Sequence, residues 1–201
     1  YAGLLGRLNA LPSEDTANAR EIYNQLLNTE NASIAQIWEV AEAYGRFETA
    51  IDAYEKIANL DAKTAEEHYY KGYALFQLGN MMDAVNEYNK VLELTPDDKS
   101  AAYSRGVALE ELGDYGGALK SYQLALDIHN RIYPGEPFDE AKNAIAAMNA
   151  RLGTQKETQV SEQAEEPAVP AVEEAPAEEE TEAQLTPPPV QRKGAEKTQP
   201  Q

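Results

Sequence analysis

The 201-residue sequence has no cysteine, one tryptophan, three phenylalanines and two histidines. Without cysteine there is no disulfide framework, no thiolate zinc site and no thiol nucleophile, and the compartment stays open. Basic residues are also scarce: 17 Lys and Arg stand against 35 Asp and Glu, a formal net charge of -18. So negative a chain repels a phosphate backbone and anionic lipid, so nucleic acid is not expected as a partner and a basic protein segment is. No run approaches the roughly 20 apolar residues of a membrane-spanning helix, so direct membrane insertion of this stretch is not expected. The chain opens at Tyr1 with no basic segment followed by an apolar core, so any signal peptide or anchor is expected upstream or already removed. A cytoplasmic place fits, and so does a periplasmic or membrane-anchored one reached through such a segment.

Motifs that carry chemistry are missing too. His68 and His129 lie far apart with no HExxH spacing, and a satisfied structural or exposed role suits both. The pairs Glu66 with Glu67 and Glu110 with Glu111 have the density of solvated helix faces rather than of a hydrolase dyad. There is no GxxxxGK[ST], GxSxG or EF-hand loop. No catalytic residue, metal ligand, cofactor or enzymatic activity is expected.

What is present divides near Gly153. Residues before it are rich in helical periodicity, and 42% of the whole chain is hydrophobic. Residues 154–201 have no aromatic and hold most of the proline, with a Glu-rich block that precedes Arg192, Lys193 and Lys197. Too little apolar area is there to offset chain entropy, so this Glu/Pro/Ala-rich tail is expected to be disordered.

Before the tail one phrase recurs: GRFETAIDAYEKIANLDA from Gly45, GNMMDAVNEYNKVLELTP from Gly79 and GDYGGALKSYQLALDIHN from Gly113, 34 residues apart each time. Ala50, Ala84 and Ala118 form one column, Tyr54, Tyr88 and Tyr122 the column four later, and Ile57, Val91 and Ala125 the column three after that. Such spacing is one face of a helix. Each glycine is expected to take a positive φ and end a preceding helix, so each unit is helix, tight turn, helix. ANAREIYNQLL carries Ala19, Tyr23 and Leu26 in the same pattern, with Ser13 as the expected N-cap. PFDEAKNAIAAMNARLG places Phe138, Ala141, Ile145 and Met148 on one face, as a capping helix would.

The phrase resembles the tetratricopeptide repeat, a 34-residue helical hairpin with a small residue and an aromatic in its first helix and Ala, aromatic, Ala in its second. Gly72 and Gly106 supply the small residue, the Ala and Tyr columns the second-helix signature, and Pro96 the closing proline. Trp38 departs at the small position, and Ala62 and Asn130 replace the proline. The resemblance implies an all-α, right-handed superhelical array of antiparallel helix pairs. Its expected divisions are a degenerate repeat at 1–30, repeats at 31–64, 65–98 and 99–132, a capping helix at 133–153 and the tail at 154–201.

In this family the inner face of the first helices forms the groove. Carried onto this chain, the resemblance implies a partner-binding groove of Glu39, Glu42, Glu66, Tyr69, Tyr73, Phe76, Tyr103, Val107 and Glu110. Packing of Tyr69, Tyr73 and Tyr103 against the next repeat is the competing role, while Tyr70 and Tyr88 are expected in the core. Chaperone-binding members clamp a terminal carboxylate with Lys, Asn and Arg; here Ala35, Glu39, Tyr70, Ser100 and Ser104 stand there. Binding of an Hsp70 or Hsp90 C-terminal tail is therefore not expected. The expected function is a scaffold that holds a peptide or helix of another protein, through apolar and basic residues, in an aromatic, acidic groove. The alternatives are the accessory or assembly-factor region of a larger enzyme or membrane-anchored protein whose main domain lies upstream, and a self-associating oligomer.

Overall fold

The computed structural model describes the backbone of residues 1–165 and the side chains of residues 1–155. The described residues form helices and no strand: α1 Ala2–Ala10, α2 Thr16–Leu27, α3 Ile34–Gly45, α4 Ile51–Ala58, α5 Ala65–Gln77, α6 Met81–Leu94, α7 Lys99–Glu111, α8 Tyr115–Ile132 and α9 Asp139–Glu165. Each helix from α2 onward packs on its predecessor, and the odd-numbered helices α1, α3, α5 and α7 also touch one another in turn. This is an α-solenoid of helical hairpins, with the odd-numbered helices side by side on one face.

Local signals start the helices. Ser33 and Gln36 close a capping box on α3, and Thr64 and Glu67 close one on α5. The Asp98 and Asp114 carboxylates accept from Ala101 N–H and Gly117 N–H at the starts of α7 and α8. At α2 the N-cap position falls to Asp15, without a side-chain capping bond, and Ser13 lies outside the helix with its hydroxyl toward Glu14. The expected Ser13 cap is not formed.

Two of the three turn glycines behave as expected. Gly79 and Gly113 have φ of 81° and 77°. After α5, Asn80 N–H reaches Leu75 O and Gly79 N–H reaches Phe76 O; after α7, Asp114 N–H reaches Leu109 O and Gly113 N–H reaches Glu110 O. That paired pattern satisfies the last carbonyls of each helix. Gly45 differs, because it is the last residue of α3, its φ is not positive, and the cap passes to Arg46 in the right-handed region. The chain then turns through Phe47, and α4 begins only at Ile51, whereas α6 and α8 begin at Met81 and Tyr115 in the column of Phe47. With no side-chain cap of its own, α4 has its Ala53 N–H bound at 2.9 Å by the Tyr23 hydroxyl from α2.

The repeated columns are the core. Ala50, Ala84 and Ala118 are at most 1% exposed, as are Tyr88 and Tyr122. Tyr54 is only half-buried. The difference lies in the facing small position: glycine in the second and third hairpins, Trp38 in the first. Trp38 stacks on Tyr70 at 4.7 Å and meets Tyr73 edge-on at 4.9 Å.

The end of the array is closed by α9. Ala141 and Met148 are fully buried, Met148 against Ala118 and Tyr122, and Ile145 is half-buried beside them. Phe138 precedes the helix and packs on the Tyr103 and His129 rings. The helix passes through Gly153 to Glu165, so the compositional boundary at 153 falls inside it. Residues 154–165 hold no proline and are rich in Gln and Glu, which favour helix; Pro167 follows just beyond. The rest of the expected disordered tail lies outside the described residues.

Candidate partner-binding site

Helices α5 and α7 lie next to each other on the face of odd-numbered helices, and their side chains converge. Tyr73 and Phe76 from α5, Tyr103, Ser104 and Val107 from α7, and Tyr88 from α6 line a pocket of about 180 Å³. Four of the nine residues expected in a groove therefore share one apolar hollow. Ser104 and Tyr88 were not among them. Tyr88 is in the core as expected, 1% exposed, and its ring also lines the hollow, a dual role that a sequence column cannot reveal.

The remaining residues lie outside this hollow. Glu66 and Tyr69 line a polar depression with Ala65, Tyr70, Asp98 and Ser100. Glu39 and Glu42 line another, with Leu5, Asn9, Ala43 and Arg46. Glu110 is engaged by the array itself: it accepts from the Tyr122 hydroxyl at 2.8 Å and pairs with Arg151 of α9 at 3.3 Å. Burial and this carboxylate push the Tyr122 hydroxyl far up, so it stays protonated and keeps donating.

The tyrosines both pack and line. Tyr73 meets Trp38 and Tyr54, Tyr103 meets Tyr122 and Phe138, and Tyr69 meets Tyr88 and Tyr70, all with ring centroids within 6.3 Å. Each remains half-buried rather than enclosed. Tyr70, expected in the core, is half-buried too; its ring stacks on Trp38 and its hydroxyl donates to Glu66 at 2.7 Å. That hydrogen bond, burial and the nearby charges of Glu66, Glu42 and Glu39 push the Tyr70 hydroxyl up to about 12.

Several of the few cations are committed elsewhere. Arg46 donates to Leu8 O and Leu11 O behind α1, Lys71 to Leu60 O behind α4, and Lys56 to Leu27 O at the end of α2. Lys56 thereby caps the last carbonyl of α2, whereas Leu8 O already accepts from Leu11 N–H and takes Arg46 as a second donor. Among the described residues none of Glu39, Glu42 and Glu66 is in an ion pair.

Both histidines join helices. His68 Nδ1 lies 2.5 Å from the buried Glu87 carboxylate, which also takes a bond from Lys90 at 2.9 Å. His129 is 5% exposed; Nδ1 faces Lys99 and Nε2 faces Glu136 O, so a neutral ring that accepts from Lys99 and donates to the carbonyl satisfies both. Among the described residues no group of three His, Asp or Glu side chains is placed to hold a metal ion. None of their helices is long and apolar enough to cross a membrane.

The family model described as tetratricopeptide repeat matches residues 39–90 and 69–137. No curated protein matches the chain. Solved structures of MamA share the fold. One is 22% identical, covering 72% of this chain and 82% of that one with a TM-score of 0.54. MamA from MSR-1 is 19% identical over 81% of this chain and 95% of that one, with a TM-score of 0.56. The matched residues begin within α3 and end just before α9, they carry the Gly, Ala and Tyr columns that pack each hairpin, and the chain is a tetratricopeptide-repeat protein.

Proposed function

We propose that the face of α3, α5 and α7 binds a segment of another protein and that the chain serves as an interaction scaffold. The observation that carries this is the convergence of Tyr73, Phe76, Tyr103 and Val107 from two successive first helices on one apolar pocket. Stacked repeats present extended concave surfaces, and half-covered aromatics supply the large, rigid contacts that dominate protein interfaces. The exposed Glu39 and Glu42 on α3 and Glu66 on α5 give the face a sign, and a partner segment with an apolar anchor and basic residues matches it. The exposed glutamates raise the encounter rate, while the apolar anchor sets the residence time.

The test is capture on the immobilised chain and on its Val107→Asp variant. The variant places a charge in the pocket and leaves the ring–ring contacts in place, and because Val107 also packs on the Ala118, Tyr122 and Met148 cluster its unfolding midpoint is measured alongside. Partners held through the face are lost from the variant at unchanged helicity. Equal retention by both chains rejects the pocket as the binding site.

A further inference from the structure

The pocket lies in the seam between α5 and α7. A second feature lies in the seam between α3 and α5. Trp38 and Tyr70 stack there at 4.7 Å and 13°, and the Tyr70 hydroxyl donates to Glu66. Glu66 is in direct contact with the pair, and the exposed Glu39 and Glu42 of α3, which also line the depression against α1, add to the negative charge that disfavours ionisation of that hydroxyl. None of the three is in an ion pair among the described residues. Arg46, the cation that lines the depression of Glu39 and Glu42, is held by Leu8 O and Leu11 O. Glu42 also lies in the last turn of α3, where the negative end of the helix dipole adds to its field.

The two features occupy adjacent seams, and packed helices stand about 8 to 10 Å apart. An extended chain covers that span in about three residues, at roughly 3.3 Å each. We propose that the partner segment crosses α5 in extended form, with an apolar anchor in the Tyr73–Val107 pocket and an arginine three residues away over the Trp38–Tyr70 pair. This rests on the binding reading above and adds the spacing and chemistry of the ligand. Arginine fits better than lysine, because a planar guanidinium stacks on an aromatic face while its N–H groups reach carboxylates on either side.

The experiment titrates the full chain with nine-residue serine and glycine peptides that each carry one leucine and one arginine. The two stand one to five residues apart, in both orders, and affinity is read by chemical-shift changes. The three-residue spacing in one order binds about two- to fivefold tighter than its neighbours. Lysine at the same place loses part of that advantage, and the double variant Glu42→Gln, Glu66→Gln removes it while leucine-only binding persists. Equal affinity at every spacing overturns the inference and leaves the pocket reading intact. Failure of every leucine peptide to bind overturns both. Dimerisation of the chain that Val107→Asp abolishes gives the groove to a second copy and also overturns the inference.

Discussion

Gly72 on α5 faces the ring of Tyr88 on α6 so closely that a Cβ at residue 72 would lie 2.8 Å from Tyr88 Cε1. Gly106 and Tyr122 repeat the relationship one hairpin later, at 2.7 Å. Tyr88 and Tyr122 are both 1% exposed, so either ring yields only by displacing packed neighbours or, for Tyr88, by moving toward the hollow it lines. Ala at either glycine gains about 0.5 to 1 kcal/mol of helix propensity and loses about 1 to 3 to overpacking. Gly72→Ala and Gly106→Ala therefore each lower the thermal unfolding midpoint. A variant that melts at or above the parent temperature shows that the rings can shift.

The three aligned turn glycines separate in the opposite sense. Nothing lies within 4 Å of a Cβ at Gly45, Gly79 or Gly113, so space does not distinguish them, but only Gly79 and Gly113 have positive φ. Gly45→Ala stabilises by about 0.5 to 1 kcal/mol, because the residue is helical and open. Gly79→Ala and Gly113→Ala destabilise by about 1 to 2 kcal/mol through left-handed backbone strain. Urea midpoints of the three variants check this, and a shared sign at all three contradicts it.

These glycines also show what the sequence reveals and where it stops. The column of Gly72 and Gly106, the tyrosines that cover them and the buried Ala84 and Ala118 are legible because a close helix approach permits few side chains, so the pattern must repeat. Gly45 keeps the letter of the pattern without its conformation. The same hairpin departs in its tertiary contacts: Trp38 stands in the small position, Tyr54 is half-buried, and Tyr23 from the preceding hairpin binds the start of a shortened α4. The candidate site is legible as a list of inner-face residues, but not its partition. Only contact across seams shows that Tyr73, Phe76, Tyr103 and Val107 share a pocket while Glu110 is held by Tyr122 and Arg151. The buried Glu87 left no signal, since one glutamate on a helix looks like any solvated one.

Glu87 sets part of the acid response. Burial pushes its carboxyl up, but the hydrogen bonds from His68 and Lys90 outweigh that and hold it below the ordinary value. A carboxyl lowered on folding contributes stability that is present above its unfolded pKa, near 4.3, and is lost as pH falls through the lower folded value. Glu87→Gln, which cannot titrate, therefore loses less stability than the parent between pH 7 and pH 3. Parallel pH dependence of the two urea midpoints refutes the assignment.

Closure of the array by α9 makes a separate prediction. Met148 is fully buried on Ala118 and Tyr122, and Arg151 lies over the Tyr115 ring while it pairs with Glu110. A chain ended at Tyr133 uncovers that apolar surface, binds a hydrophobic dye and aggregates. Met148→Ala, which leaves the helix in place, costs about 2 to 5 kcal/mol by the cavity it opens. A truncated chain that stays monomeric and equally stable shows that α9 does not close the array.

Binding variants must be chosen by what else each side chain holds. Tyr73→Ala strips contacts from Trp38 and Tyr54, and Tyr103→Ala strips them from Tyr122 and Phe138, so both lower stability as well as affinity. Phe76 is half-buried and lines the same pocket, and its ring makes none of those stacked or edge contacts. Phe76→Ala therefore gives the cleaner signal: capture of a partner weakens by about 1 to 2 kcal/mol, with a smaller change in unfolding than Tyr73→Ala produces. Salt separates the two contributions. Raised ionic strength slows association steered by the exposed Glu39, Glu42 and Glu66, while Phe76→Ala speeds dissociation at every salt concentration. Were Phe76→Ala to bind with parental rates in both directions, the pocket would be a packing feature of the hairpins and the partner would have to be held elsewhere.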